Sequence, residues 1–412
     1  MANTAAHLVD RVFPRVPIRQ WVLSFPHDLR YRLAYDASLV TDVLSIFTKT
    51  IFASLIERAR EFGAVRKPQS GAVSFIQRFD SALRLNLHIH SLVIDGVYAA
   101  DDDDKPQFQV LPAPGDEEIV RLTGLLAQRI RAFLQKRGLG ADSNPEESDP
   151  LAREQPWLAG LYAASVRGRL GKFGTYGTRR GDQIDPESME APSNPRCASV
   201  DGFSVHANVA VSAGDRARLE RLAQYCARGP VATERLEMLT DGRLLYRFKR
   251  AWRDGTTHII LMPLDMLEKL SALIPAPHVH LVRYADLLAP AAKWRSVIVP
   301  TAASMEADST IHCCDVETTA YFKESAASEA EASAAESSVA PHGRNYAWAE
   351  LMKRVWALDV LECPRCQGRM RILAAIHSPD AIGKILDCLG LPCRAPPISS
   401  AVPESMVRLD PF

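Results

Sequence analysis

The chain carries no excess charge of either sign, because 49 Lys and Arg residues balance 49 Asp and Glu residues. Any affinity for a polyanion must therefore come from local clusters of cations. Cysteine is also scarce, with 8 residues among 412, which argues against a disulfide framework. The first residues lack the basic and apolar regions of a secretory signal, and no stretch approaches the roughly 20 uninterrupted apolar residues of a membrane helix. These absences predict a cytoplasmic protein that does not enter a membrane.

Two histidines stand out in what is present. His88 and His90 lie two residues apart in a run of β-forming residues from 86 to 97. Positions i and i+2 of a strand share a face, so both imidazoles can point at one divalent metal ion. The alternative is that both are ordinary polar positions on a half-exposed strand. His278 and His280 repeat the spacing, but prolines beside them indicate a loop.

A helix from about residue 216 to 226 is the second informative feature. Asp215 can cap it, Gly229-Pro230 can end it, and its apolar residues form one stripe that faces a core. Tyr225 lies off that stripe, on a face that also carries three arginines: Arg218, Arg221 and Arg228. Guanidinium groups around a tyrosine suit a phosphate, although a solvated helix face explains the same pattern.

Cations and aromatic residues alternate downstream of this helix. The cations include Arg247, Lys249 and Arg250, and the aromatic residues are Tyr246, Phe248 and Trp252. Aromatic rings between cations are typical of surfaces on which unpaired bases stack. We therefore expect these rings to be exposed, unless the segment is an ordinary amphipathic hairpin.

Near the C-terminus, two residues separate Cys363 from Cys366. This spacing resembles a zinc knuckle, whose tight turn lets two thiolates bind one Zn²⁺ ion. Three residues with irregular spacing are available to complete the site: His377, Cys388 and Cys393. A filled zinc site and a thiol pair without metal both agree with the sequence.

Five segments, in this order, resemble the rolling-circle transposases of the HUH endonuclease superfamily, in which two histidines flank a hydrophobic residue. They are QRF at 77–79, LNLHIHSLVIDGV at 85–97, DGFSVHA at 201–207, YCARGP at 225–230 and YRFKR at 246–250. The resemblance covers most of the chain and is to the insertion-sequence family ninety-one type. It implies a bacterial enzyme that acts for a mobile element.

The resemblance also implies a mechanism and a substrate. Tyr225 would attack a phosphate of single-stranded DNA, at element ends and target, and leave a 5′-phosphotyrosine and a free 3′-hydroxyl. His88 and His90 would hold Mg²⁺ or Mn²⁺, which polarises the phosphate. As third ligand we favour Gln77, on the neighbouring strand, over Asp80, which falls near a turn. The residues expected to contact DNA are Arg218, Arg221, Arg228, Arg247, Lys249 and Arg250.

Two departures from the family pattern matter. Many relatives carry a second tyrosine four residues before the first, where this chain has Arg221. The chain therefore resembles the one-tyrosine branch, close to the transposases of common-region elements. The sequence also starts without the cysteine and histidine zinc module that commonly begins these proteins. An inactive or truncated remnant that only binds DNA is thus the alternative function, and a phosphodiesterase that uses water is a third.

We predict an α+β fold with an HUH core, in which helices flank a central antiparallel sheet and the Tyr225 helix lies across the metal. A small helical module with the Cys-x-x-Cys pair should follow. The predicted catalytic domain spans 1–260, with irregular insertions near 138–156 and 181–195, and an extension of it spans 261–320. A flexible linker rich in Ala, Ser and Glu spans 321–343, and the C-terminal module spans 344–412.

Overall fold

Helices alternate with antiparallel strands along the chain, which confirms the predicted α+β class. The computed structural model describes residues 1–63, 66–139, 149–170, 175–177, 195–249, 251, 255–299, 346–371, 376 and 378–390. In chain order the elements are α1 (Ala2–Arg11), β1 (Ile18–Ser24), α2 (His27–Tyr35), α3 (Ala37–Glu61), β2 (Arg66–Gln69), β3 (Gly71–Phe79), β4 (Leu85–Ile94), β5 (Gly96–Ala100), β6 (Pro106–Val110), α4 (Asp116–Lys136), α5 (Pro150–Glu154), α6 (Pro156–Val166), β7 (Thr175–Gly177), β8 (Cys197–Val200), β9 (Phe203–His206), β10 (Ala210–Val211), α7 (Arg216–Cys226), β11 (Leu236–Met238), β12 (Leu244–Arg247), β13 (His258–Leu261), α8 (Pro263–Leu273), β14 (Val282–Asp286), α9 (Arg295–Ile298), α10 (Trp348–Trp356) and α11 (Pro379–Cys388).

The central sheet has the strand order β14-β3-β4-β1-β9-β8, and β10 also pairs with β1. All of its pairings are antiparallel. Strand β4 lies between β3 and β1, so the two histidines are on a strand that is held from both sides. The edge strand β14 begins at Val282, so residues of the segment 261–320, predicted as an extension of the catalytic domain, belong to the same sheet.

The two faces of this sheet carry different side chains of β4, because a strand alternates its residues. Leu87 and Ile89 lie on the face that packs on α3 and α4. His88 and His90 share the opposite face with Leu92, which packs with residues of α1 and α7. Helix α3 is long and apolar enough to cross a membrane by length and composition, but its apolar side chains are buried in the first of these cores.

A third core lies beside the β3–β4 turn. It joins α6, α8 and strands β12 and β13, which belong to a four-stranded sheet of order β11-β12-β13-β7. Strands β2, β5 and β6 form a separate three-stranded sheet. This third core packs strands β12 and β13, which follow the Tyr225 helix in sequence, against the β3–β4 turn of the central sheet.

Residues 27–61 form two helices, α2 and α3, and residues 203–211 contain two short strands, β9 and β10, both paired with β1. The predicted loop at 138–156 contains α5 where it is described. The linker at 321–343 and nearly all of the insertion at 181–195 lie outside the described residues.

Helix α10 packs against the N-terminal and tyrosine-bearing helices. Arg354 donates to Asp10 on α1 at 2.6 and 2.8 Å and to Glu220 on α7 at 2.6 Å. The Tyr346 hydroxyl donates to the same Asp10 carboxylate at 2.8 Å. We call this group, Arg354 with Asp10 and Glu220, the Arg354 clasp. It connects parts of the chain that are more than 100 residues apart in sequence.

Candidate active site

His88 and His90 lie together on the face of the sheet that α7 covers. Their ring centroids are 4.9 Å apart. The Nδ1 atom of His88 lies 2.9 Å from the carbonyl oxygen of Asn86. Because a carbonyl only accepts, this Nδ1 carries the proton and leaves Nε2 with a lone pair. The Nε2 atom of His90 is buried and has no hydrogen-bond partner among the described residues.

Both imidazoles are neutral at neutral pH. Burial lowers the pKa of His88. Burial, with smaller repulsive contributions from His88, Arg228 and His206, lowers the pKa of His90 to about 3. A neutral imidazole is the form that binds a metal ion, so both histidines are in the protonation state that a metal ligand needs.

Gln77 lies directly opposite His88 on β3. Its side-chain nitrogen donates to the main-chain carbonyls of Cys226 at 2.8 Å and Tyr225 at 3.2 Å. Its side-chain oxygen is buried and has no partner among the described residues. Asp80, the weaker candidate, is engaged at the β3–β4 turn, where it accepts from two main-chain N–H groups and pairs with Arg84 at 2.7 Å.

Helix α7 carries Tyr225 across the sheet. Its N-terminus is capped as predicted, since the Asp215 side chain accepts from the N–H of Arg218 at 2.9 Å. The predicted stripe is largely buried, while Tyr225 keeps 39% of its surface exposed. Its ring stands nearly perpendicular to that of His90, with the centroids 5.8 Å apart. The exposed phenol therefore lies beside the two histidines.

The predicted DNA-contacting cations fall into separate groups. Arg218 and Arg221 are exposed on the Tyr225 side of α7. The Arg228 guanidinium lies 4.7 Å and the Lys249 ammonium 5.6 Å from the Tyr225 ring centroid. Arg247 is exposed too but pairs with Glu237 at 2.7 Å, and Arg250 lies outside the described residues. Four of the six thus surround the tyrosine or share its face of the helix.

The prediction that three aromatic rings are exposed for base stacking is wrong for two of them. Tyr246 is fully buried and Phe248 is 8% exposed, both in the third core. The alternation of cations and rings on this segment puts the rings towards α6 and α8 and the cations towards solvent, so the amphipathic-hairpin alternative is correct here. Trp252 lies outside the described residues.

Two residues near the histidines escaped sequence reasoning. The Gln20 amide lies 2.9 Å from Nδ1 of His90 and 3.4 Å from the Cys226 thiol. His206 lies on β9, and its charge contributes to the lowered pKa of His90. Gln20 and His206 are single polar residues on distant strands, and only the pairing of β1 with β4 and β9 brings them near. His278 and His280 are exposed in a loop before β14.

The cysteine pair forms a tight turn. Cys363 accepts from the N–H of Gln367 at 2.8 Å and donates to Gly368 at 3.0 Å. Hydrogen bonds from the main chain of Cys366 and Arg365 lower the pKa of the Cys363 thiol. In the part of the chain that is described, no group of three or more His, Cys, Asp or Glu residues could hold a metal. Zinc at this turn stays a prediction.

The site combines an exposed tyrosine, two neutral imidazoles and several guanidinium groups, which suits chemistry on a phosphodiester. A family model described as "Putative transposase" matches residues 71–295, more than half of the chain, and spans the histidines, Gln77 and the tyrosine helix. The chain therefore belongs to this transposase family, whose enzymes cleave and transfer DNA strands. Comparison with curated proteins and with solved structures finds no match.

Proposed function

We propose that this transposase nicks and rejoins single-stranded DNA through a 5′-phosphotyrosine on Tyr225, in the manner of the rolling-circle HUH enzymes. The observation that carries the proposal is the contact of Tyr225 with His90, at 5.8 Å between ring centroids, by a phenol that is open to solvent. As the transposase of a bacterial element, it would act in the cytoplasm on element ends and target.

The covalent step needs no external energy source. The phenolic oxygen of Tyr225 bonds to phosphorus, the bond from phosphorus to the 3′-oxygen breaks, and that oxygen takes a proton while the phenol loses one. The adduct keeps the energy of the phosphodiester, so a 3′-hydroxyl of another strand can reverse the step and join the DNA. Arg228 and Lys249 over the tyrosine ring would offset the phosphate charge.

His88, His90 and Gln77 would hold the divalent ion, Mg²⁺ or Mn²⁺, which acts as a Lewis acid on a phosphate oxygen. In the part of the chain that the structure describes, neither the buried Nε2 of His90 nor the buried side-chain oxygen of Gln77 has a hydrogen-bond partner. This supports the assignment, since buried acceptors without partners are costly. His90 must then donate from Nδ1. The side-chain oxygen of Gln20 can accept that proton when the terminal amide is rotated by 180°. This rotation exchanges the amide oxygen and nitrogen, which have nearly the same shape.

The DNA strand would leave Tyr225 along the exposed row of Arg221 and Arg218 on α7. These residues lie four and seven positions before Tyr225, on one face of the helix. A single tyrosine on this helix, with Arg221 in the place of a second, supports the one-nucleophile branch. Zn²⁺ bound by Cys363 and Cys366 is a separate proposal for the C-terminal turn.

The test is the covalent product itself. The full chain is incubated with a mixture of single-stranded oligonucleotides, labelled at either end, and Mg²⁺ or Mn²⁺, and then denatured. We expect an adduct that resists the denaturant, carries the label of the 3′ fragment, and is absent with EDTA. Retained oligonucleotide binding without any adduct would favour the DNA-binding remnant, and cleavage without an adduct would favour the phosphodiesterase that uses water.

A further inference from the structure

A cavity of about 640 Å³ opens beside the site, between the edge of β3, the end of α7 and the end of α8. Its walls are mainly apolar, and the side chains that line it include Phe75, Phe79, Leu270, Ile274 and Val282. This volume is in the range of pockets that hold small organic ligands. Sequence reasoning did not predict it, because its walls come from five elements that are separate in sequence, α1, β3, α7, α8 and β14.

Two site residues belong to the wall of this cavity: Gln77 and Arg228. The Arg228 guanidinium lies 4.7 Å from the ring centroid of Tyr225 and 5.7 Å from that of Phe79. Its Nε atom is buried without a hydrogen-bond partner among the described residues. Arg228 thus stands between the nucleophile on one side and an aromatic cavity wall on the other.

We propose that this cavity receives one unpaired nucleobase of the DNA strand whose phosphate lies at Tyr225. The inference rests on the proposed function and adds a base-binding subsite to it. A nucleobase is a flat, largely apolar group tied to an anion, and the cavity offers an aromatic and aliphatic interior with a cation at the side that faces the tyrosine. Stacking of this kind accepts any base, because every base has a π-face.

Ile274 and Leu267 provide a matched pair of positions for the test. Both are exposed apolar residues, Ile274 directly after α8 at 64% and Leu267 in the middle of α8 at 60%, but only Ile274 lines the cavity. Ile274→Trp would fill the cavity mouth and Ile274→Glu would place a carboxylate there. Leu267→Trp and Leu267→Glu add the same bulk or charge outside it. Because the side chains are exposed, all four variants should fold, which thermal unfolding checks.

The measurement is the affinity for a 20-mer of thymidine divided by the affinity for an abasic phosphodiester of equal length. All proteins carry Tyr225→Phe and the buffer contains EDTA, so neither cleavage nor metal binding enters the result. The contribution of the backbone charge cancels in the ratio. We expect the ratio to fall about 5- to 100-fold in both Ile274 variants, as for one lost stacked base, and to stay unchanged in both Leu267 variants.

Equal ratios in the Ile274 and Leu267 variants would overturn the proposal and assign the cavity to another occupant. A failure of the proposed function gives a different result, because it is scored separately as the missing adduct of the wild-type chain with Mg²⁺ or Mn²⁺. As a second measurement, photo-crosslinking of a 20-mer containing 5-iodouracil should label the peptide with Phe75 and Phe79. A crosslink only at other aromatic residues would count against the subsite.

Discussion

Gln77 donates its side-chain amide to the main-chain carbonyl of Cys226 at 2.8 Å, and this bond joins the histidine-bearing sheet to the tyrosine-bearing helix. The remaining polar atom of that amide, the oxygen, is buried and has no partner among the described residues, and Gln77 lies opposite His88 in the sheet. One residue therefore has two roles in the proposed site. It holds the helix that presents the nucleophile, and it offers an oxygen ligand.

Gln77→Met tests the polar functions of this side chain without changing its size, because it keeps the length of the side chain but removes its oxygen and its hydrogen-bond donor. We expect the half-saturating Mn²⁺ concentration for adduct formation to rise by about 10- to 100-fold. The free energy of unfolding should fall by about 1 kcal/mol for the lost hydrogen bonds. Asp80→Asn is the control, and a larger metal effect in that variant would make Asp80 the ligand.

His88→Ala and His90→Ala should each reduce adduct formation by more than about a hundredfold, which exceeds the usual effect of an outer-shell partner. Each removes a ligand from a strand that is already held by β3 and β1, so circular dichroism and thermal unfolding should show a folded protein. His278→Ala is the control for the rival histidine pair. Full activity in either His88→Ala or His90→Ala would exclude the site.

Tyr225→Phe keeps the ring against His90 but removes the attacking oxygen, so the adduct should vanish with little change in stability. Tyr246→Phe is the matched control. The Tyr246 hydroxyl is about 3.5 Å from its two main-chain partners inside the third core, and its loss should cost at most about 1 kcal/mol. An adduct that persists in Tyr225→Phe would move the nucleophile to another exposed tyrosine or residue.

Arg221→Ala and Arg228→Ala should weaken binding of single-stranded DNA and lower cleavage. If each residue contacts one phosphate, the slope of the logarithm of affinity against the logarithm of salt concentration should fall by roughly 0.7 per variant. Arg369→Ala serves as control, because Arg369 pairs with Asp359 near the cysteine turn. Unchanged salt slopes in the two helix variants would mean that these arginines only solvate the surface.

The Arg354 clasp predicts a pH dependence of stability. Burial alone would raise the pKa of Asp10, but hydrogen bonds from Arg354 and Tyr346 outweigh it and lower the pKa. A carboxyl with a lowered pKa stabilises the fold above its unfolded pKa of about 3.9 and loses this contribution as the pH falls through the folded value. Arg354→Met should therefore cost about 1–3 kcal/mol at pH 7.

The cost of Arg354→Met should shrink as the pH falls from about 4 through the lower pKa that Asp10 has in the folded wild type, below which Asp10 is protonated with or without its partner. Urea unfolding of the wild type and the variant at several pH values measures this difference. Lys353→Met, which removes a neighbouring exposed cation that pairs with Asp359, should cost less than about 1 kcal/mol at pH 7. A cost for Arg354→Met that is constant with pH would rule out the link to Asp10.

The sequence predicted the parts of the site that depend on local patterns. Spacing along one strand placed His88 and His90 on one face, and capping by Asp215 with an apolar stripe placed Tyr225 on the open side of α7. The buried rings of Tyr246 and Phe248 show the limit of the same method. The alternation of cations and aromatic residues indicates that the hairpin has two different faces. It does not indicate which face packs on the core that α6 and α8 build.

Gln20 illustrates a second limit. Its amide reaches His90 because β1 and β4 pair in a register that sets Gln20 opposite Leu92, and that register joins residues about 70 positions apart. No local pattern marks such a residue. The same holds for the cavity, which exists only when β3, β14 and the ends of α7 and α8 have come together.

The Arg354 clasp joins residues that the ribosome adds at very different times, so it is completed late in synthesis. A ribosome completes α7 and Tyr225 well over 100 residues before it reaches Arg354, and domains fold as they emerge. The nascent chain therefore displays the tyrosine helix for a time with Glu220 and Asp10 unpaired. The contact of Arg354 with Glu220 can form only after that, so a chain whose translation stops before Arg354 lacks this one contact, while Leu219, Ala223 and Cys226 still pack α7 in the core.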